Sequence, residues 1–343
     1  MSAFNEEKVI VAKVSSLIAA AEQYGPATIH VFADAPGDRT VELLQPFADR
    51  IDLVVSPDRT GKTSGMNTLV ARSNSEVLLF TDANVSHETS VVEKLVSRLA
   101  DPTVGCCSAQ LVYSNSEESP TAATGAAYWK LEERIKQIES ERIGLIGVDG
   151  AMFAMRRSLH RPPPPYLIDD LYLSLLILLQ GARVVSEPEA IVFERSAVYS
   201  GEEYMRKRRI ACQAINVHRA LWPELRRMSA QRLYGYISHR LLKWISPFLL
   251  AGAGLCFTVG GVMVFGAKAV GLAMLAGLLF LFVGVALRLH APRVLASSLR
   301  SLIGVALGVY DSVVRRETYT VWNLAHSIRD GLEKPSNHRD QPG

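Results

Sequence analysis

Two pairs of polar residues in this 343-residue chain have the types and spacing to do chemistry. The first ends the run Val77-Leu-Leu-Phe-Thr-Asp-Ala-Asn84. On an extended chain, side chains at i and i+2 point the same way, so Asp82 and Asn84 can offer two oxygens to one hard cation. Mg²⁺ or Mn²⁺ suits that chemistry and takes the rest of its shell from water and a substrate diphosphate. The structural alternative is a strand end whose Asx turn caps the next helix. The second pair, Asp169-Asp170, opens a helix that runs to Gln180 with Gly181 as its C-cap. Carboxylates there have an ordinary use, capping the helix and complementing its dipole. Further on, Arg206-Lys-Arg-Arg-Ile210 is either a solvated basic face or a patch facing phosphates. Asp149 is the polar outlier of Gly147-Val-Asp-Gly-Ala-Met and fits either a contact to a substrate hydroxyl or an Asx turn. Tyr128 and Trp129 fit sugar stacking or core packing.

The elements that must hold these residues follow from pattern. The apolar run before Asp82 reads as a buried strand of a parallel sheet, and ligands of open α/β sheets bind at carboxyl ends of strands. Upstream, Asn5 is expected to cap a helix whose apolar face is Val9, Ile10, Val14, Leu17 and Ile18. Strands are expected over Thr28–Ala33, ending on Asp34, and over Ile51–Val55, with a Gly- and Lys-bearing loop over Ser56–Gly65. A helix at Glu88–Leu99, a strand at Val104–Val112 and a long helix at Thr121–Ser140 come next. Short closing strands follow at Arg183–Ser186 and Ala190–Glu194, then a helix at Glu202–His218. Strand–helix alternation of this kind argues for a doubly wound sheet.

The net charge of +3 is too mild to suggest nucleic acid. The four cysteines have no metal-ligand spacing and fit a reducing compartment. Apolar residues concentrate after Trp244: Trp244–Phe265 and Ala269–Leu287 carry no charge, and each is near the ~20 residues that cross a bilayer. With only Gly266–Lys268 between them they form a hairpin, and flanking Arg240, Lys243, Arg288 and Arg293 put the preceding domain in the cytosol. Val294–Val314, interrupted by Arg300, reads as interfacial or re-entrant, and the tail after Lys334 as disordered.

Asn5-Glu-Glu, Asp34 with Asp38 and Thr40 after it, Gly61-Lys62, and Thr81-Asp-Ala-Asn84 occur in that order. The ordered series resembles the family 2 glycosyltransferases, and in particular the bacterial synthases of cellulose, poly-N-acetylglucosamine and hyaluronan. The resemblance implies an α/β fold: a GT-A doubly wound mixed sheet, Rossmann-like, with its first strand largely missing, followed by an α-helical transmembrane region. It implies that Asp34 contacts the nucleobase and ribose, that Lys62 lies near the nucleotide, and that Asp82 and Asn84 hold the metal beside the donor. Asn84 stands where many members have Asp, which keeps an oxygen ligand but removes a charge. By the same resemblance Asp170 is the catalytic base, and Asp149, Asp169 and Arg206 lie at the acceptor or donor sugar. Arg209 takes the Arg of the family's Gln-x-x-Arg-Trp segment and meets the diphosphate. Arg206 replaces its Gln and Ile210 its Trp, so diphosphate binding carries over better than acceptor stacking.

The implied function is inverting transfer of a sugar from a nucleotide-sugar, UDP-linked, to a polysaccharide or glycolipid acceptor at the cytoplasmic face of the inner (plasma) membrane. The implied partners are the donor, a carbohydrate or lipid-linked acceptor and membrane lipid, with no nucleic acid. Two alternatives stay open. One transfers the sugar to a polyprenyl phosphate; the other is an inactive, truncated homologue that only binds a nucleotide-sugar or a partner. The expected layout is a cytosolic GT-A domain over 1–221, an interfacial amphipathic helix over 222–243, a multi-pass hairpin with a third interfacial or re-entrant segment over 244–316, and a polar tail over 317–343.

Overall fold

The computed structural model describes residues 1–321 and 326–329. Its catalytic-side elements run β1 (Ser2–Ala3), α1 (Ile10–Tyr24), β2 (His30–Asp34), α2 (Thr40–Leu44), β3 (Asp52–Ser56), α3 (Lys62–Arg72), β4 (Val77–Thr81) and β5 (Ser86–His87). They continue with α4 (Val91–Ser97), β6 (Val104–Tyr113), α5 (Pro120–Arg142), β7 (Met152–Arg156), α6 (Asp169–Leu179), β8 (Arg183–Glu194) and α7 (Ser200–Leu225). The strands form two sheets, a parallel β1-β2-β3 and a mixed β4-β7-β6-β8-β5. In the second sheet β6 and β8 run parallel, while β7 opposes both β4 and β6. The apolar run of β4 is largely buried as expected, but its ladder is antiparallel, to β7, rather than parallel, and Phe80 stacks on its cross-strand partner Phe153 at 4.9 Å.

With only two residues, β1 pairs with β2, and among the described residues no ladder joins it to β4. Lys13 of α1 spans the gap instead, donating to Thr81 Oγ1 at 2.8 Å and to the Val85 carbonyl at 2.7 Å. Burial pushes its ammonium down to about 7.

Several boundaries differ from expectation. Asn5 does not cap α1, which starts at Ile10; it sits at φ +52°, and its Oδ1 accepts the Gly37 N–H at 2.8 Å. The two closing strands are one, β8, whose register with β6 shifts after Ala109 where an irregularity absorbs the polar Glu187–Glu189 stretch. No separate amphipathic helix occupies 222–243. Helix α7 runs through Pro223 to Leu225, and Ser229 then caps a new helix that is continuous from Ala230 to Phe265. Within it α8 (Ala230–Gly235) passes through a π-helical turn, Tyr236–Leu241, into α9 (Leu242–Phe265). The polar side chains of this lead-in dock on protein: Glu132 of α5 accepts from His239 at 3.2 Å, Arg240 at 3.1 Å and Lys243 at 2.9 Å.

α9 and α10 (Ala267–Ala286) are joined at Gly266, whose φ of +82° suits the tight reversal. Both present exposed Leu, Phe and Met side chains on nearly all sides. α11 (His290–Tyr310) has two faces. Leu295, Leu299 and Ile303 are exposed, while Gly304 and Gly308 lie against the α7 backbone at Tyr204 and Arg208, where a larger side chain would collide. Among the described residues three helices are long and apolar enough to cross a membrane: Ala230–Phe265, Ala267–Ala286 and His290–Arg315. The chain then turns at Arg316, in the left-handed region, and residues 317–321 return to α7 rather than forming a free tail. Residues 330–343, with the expected disordered tail, lie outside the described residues.

Candidate active site

The site forms where β4 ends against β7. Asp82 N–H and Thr81 Oγ1 both bond the Ala151 carbonyl, at 3.2 and 2.9 Å, which brings Gly150 under the Asp82 side chain. A Cβ on Gly150 would lie 2.9 Å from Lys62 Nζ, 3.1 Å from Asp170 Oδ2 and 3.4 Å from Asp82 Oδ2. Three charged groups from α3, α6 and the end of β4 therefore meet at one point, and glycine leaves that point open.

Lys62 is the first residue of α3, delivered by Gly61 at φ +91°. Its ammonium pairs with Asp82 at 2.8 Å and Asp169 at 3.5 Å. Burial alone would lower its pKa, but Asp169, Asp82 and Asp170 override that and raise it, so Lys62 stays charged. The loop before it is held by Asp34, buried at the end of β2. The Asp34 carboxylate accepts from Thr60 N–H at 2.7 Å, Thr60 Oγ1 at 3.1 Å and Gly61 N–H at 2.9 Å.

Asp169 and Asp170 occupy the first turn of α6. Asp169 is only 2% exposed, and its Oδ2 has no hydrogen-bond partner among the described residues. Asp170 accepts the N–H of Leu171 at 2.5 Å. Burial and the neighbouring Asp169 push its carboxyl up to about 7, against the opposing pull of Lys62. A carboxylate that exchanges its proton near neutrality is suited to general-base work. Arg209 of α7 is pushed down to about 10 by burial and by Arg206, while Asp82, Asp170 and Asp169 oppose the shift. It remains a cation at neutral pH, facing the same carboxylates, and donates to Gln213 at 3.1 Å.

The other expected residues lie further out. Arg206 donates to Tyr113 Oη at 3.1 Å and faces Glu203 at 3.5 Å. Asp149 has both oxygens engaged, Oδ2 by buried Lys136 at 2.8 Å and Oδ1 by the Ala151 N–H at 3.1 Å, the Asx-turn geometry. Trp129 packs edge-on to Tyr113 at 5.7 Å. Tyr128 donates to Glu132, and the ammoniums of Lys207 and Lys243 lie 5.1 and 5.3 Å from its ring centre.

Two features escaped sequence reasoning. Glu194, half-buried at the end of β8, accepts the Asn84 Nδ2 hydrogen bond at 2.9 Å. Burial raises its carboxyl to about 7, with Arg206 opposing and Asp82 adding to the shift. Its signal was present: Ala190-Ile-Val-Phe ends on a carboxylate just as β4 does. The second is the returning segment. Gln213 donates to the Tyr319 carbonyl at 3.2 Å, Asn216 to the Glu317 carbonyl at 2.8 Å, and the Thr320 carbonyl abuts Gly61. Beyond it, Arg329 donates two hydrogen bonds to the Glu6 carboxylate, each at 2.6 Å. No pattern in 317–329 announces this.

Among the described residues no group of three or more His, Cys, Asp or Glu forms a ready cation cage. The donors at the β4 end nonetheless fit a hard divalent cation. Asp82 keeps Oδ2 clear of its Lys62 pair, and Asn84 has given its amide nitrogen to Glu194 and retains a carbonyl oxygen. Ions of the Mg²⁺ type are commonly held by one or two protein oxygens plus substrate phosphates.

The model of the family described as "Glycosyl transferase family 2" matches residues 1–161, which include Asp34, Lys62, Asp82 and Gly150. Residues 1–161 are a family 2 glycosyltransferase domain. An N-acetylglucosaminyltransferase of Rhizobium meliloti (strain 1021) is 28% identical over 209 residues, 55% of this chain and 48% of that protein. One of Rhizobium sp. (strain N33) is 26% identical over 209 residues, 55% of this chain and 46% of that protein. The chain thus spans about half the length of the curated relatives it matches. A mannosyltransferase of Pyrobaculum calidifontis, solved with GDP-Man and Mn²⁺, superposes with a TM-score of 0.66 at 19% identity. That match covers 92% of this chain and 86% of the other, so the family 2 glycosyltransferase domain shares the GT-A architecture and the likeness extends into the helical region.

Proposed function

We propose that the chain is an inverting glycosyltransferase that moves a sugar from a nucleotide-sugar to a carbohydrate or glycolipid acceptor at the cytoplasmic face of a membrane. The observation that carries this reading is the convergence of Lys62, Asp82 and Asp170 over Gly150. Asp82 and the Asn84 carbonyl hold a divalent cation, Mg²⁺ or Mn²⁺, whose chemistry is to neutralise the departing diphosphate. Arg209 and Lys62 add fixed positive charge on the same group. Asp34 sets the loop that carries Lys62, at the place where the nucleoside lies. Asp170 takes the proton of the acceptor hydroxyl as it attacks the anomeric carbon from the face opposite the leaving group. The curated relatives make N-acetylglucosamine the first sugar to try, on a UDP carrier.

In the membrane reading α9 and α10 cross as a hairpin, with Arg240, Lys243, Arg288 and Arg293 on the cytosolic side. α11, with one face on α7 and one apolar face open, lies at the interface. A polyprenyl-phosphate acceptor is favoured by one observation, the Lys207 and Lys243 ammoniums beside Tyr128 where the chain enters the membrane helix.

The test is a donor panel on detergent-solubilised full-length protein. UDP-N-acetylglucosamine, UDP-glucose and GDP-mannose are offered with Mn²⁺, alone and with oligosaccharide or polyprenyl phosphate. Transfer from one donor, lost in chelator, is expected. Absence of turnover with every donor and acceptor would refute the reading.

A further inference from the structure

Asn84 is nearly buried, and its amide nitrogen donates to Glu194 Oε1 at 2.9 Å. In its ionised form Glu194 only accepts hydrogen bonds, so it dictates which end of the amide it faces. Turning the amide over would set two oxygens against each other. The Asn84 carbonyl oxygen is therefore directed away from Glu194 and is the atom left for a ligand.

The backbone holds this arrangement in register. β5, which begins two residues after Asn84, pairs Ser86 with Phe193, and β6 pairs Tyr113 with Glu194. The Ser114 N–H also donates to the Glu194 carbonyl at 3.0 Å. Glu194 has Arg206 as its cationic neighbour, with Asp82 and Asp149 as its anionic ones.

Charge makes the arrangement more than a strut. Asp82 already shares its carboxylate with Lys62 at 2.8 Å, and Asn84 contributes no charge. Two such donors alone would hold a divalent cation weakly. A carboxylate hydrogen-bonded behind a ligand fixes the ligand's orientation and raises its basicity.

We propose that Glu194 is the positioning residue of the cation subsite, orienting the Asn84 carbonyl toward the ion and supplying from behind the negative charge that Asn84 lacks. The inference rests on the reading of Asp82 and Asn84 as the cation's protein donors. Glu194 acts through Asn84, to which it is hydrogen-bonded.

A charge swap tests it. Free Mn²⁺ is measured by electron paramagnetic resonance with the full chain in detergent and UDP present. Glu194→Gln keeps an acceptor for the Asn84 amide but removes the charge, and Mn²⁺ affinity is expected to fall about 10–100-fold. Asn84→Asp alone sets two carboxylates against each other. Combining it with Glu194→Gln moves the charge onto the ion-facing residue and lets the new amide donate back, so affinity should return to within about threefold of wild type. Recovery in the double variant supports the inference, because a purely structural strut has no reason to be rescued by reversing donor and acceptor. Should Glu194→Gln melt early, the double variant decides alone. The inference is overturned by wild-type Mn²⁺ affinity in folded Glu194→Gln, or by a double variant that binds as weakly as Asn84→Ala. Asp82→Ala separates the two failures. If wild type binds Mn²⁺ and Asp82→Ala does not, failure belongs to Glu194 alone. If neither binds, the cation reading falls and this inference with it.

Discussion

Asp82 and Asp170 each turn one oxygen toward the point above Gly150, yet their surroundings differ in kind. Asp82 has the Lys62 ammonium at 2.8 Å and a neutral amide, Asn84, as its companion. Asp170 has a second, almost fully buried carboxylate beside it and, among the described residues, only the Leu171 N–H on its own oxygens. A carboxylate held against an ammonium suits binding. One crowded by burial and a like charge takes up a proton near neutrality, as the shift to about 7 records, and suits proton transfer. On the proposed mechanism it is their neighbours, not their own chemistry, that sort the two carboxylates into a binding role and a base role.

The sharpest way to break that division is to remove each carboxylate in turn. Asp170→Asn keeps shape and helix capping but loses the proton acceptor, and sugar transfer should fall about 10²–10⁴-fold. Nucleotide binding, measured by calorimetry, should change little. Asp169→Asn is the control; equal losses of activity and of melting temperature in both variants would make the pair a structural cap. Asp82→Ala should lose cation and donor affinity together, by at least the about 10–100-fold typical of a disturbed metal shell, and more than Asn84→Ala does. Donor affinity indifferent to both substitutions would dissolve the contrast.

Gly150→Ala probes the meeting point itself. A Cβ there must displace Lys62, Asp170 or Asp82 by a few tenths of an ångström or more. Turnover should drop by up to about 10²-fold, as small misplacements of reacting groups do, with little change in melting temperature. Activity within twofold of wild type, roughly, would mean that the three groups need not share that point.

The sequence made much of this arrangement legible, for reasons that can be traced. The β4 run and its Asp82 were readable because a short, unbroken apolar run bounded by polar residues matches the pattern of a buried strand. Asp169-Asp170 was readable only as a pair, since capping and catalysis ask for the same residues at a helix start. Asn5 misled because a good capping residue also serves as a loop pin, and the Gly37 N–H claimed it. The 222–243 stretch misled because its amphipathic pattern suits lipid, while Glu132, distant in sequence, draws Arg240 and Lys243 onto the protein. Glu194 and the 317–321 return depend on contacts between residues that local periodicity does not encode.

The most direct measurement of the division between the two carboxylates is the pH dependence of single-turnover transfer at saturating donor and cation. Because burial and Asp169 raise Asp170, the base form is lost as pH falls through about 7 rather than in the ordinary carboxylate range. Wild type should lose about tenfold per unit below that point and level off above it, and Asp170→Asn should show a low rate without that limb. A wild-type rate that stays flat from about pH 8 down to about pH 5, or an Asp170→Asn variant that keeps the same limb, would contradict the assignment of Asp170 as the base.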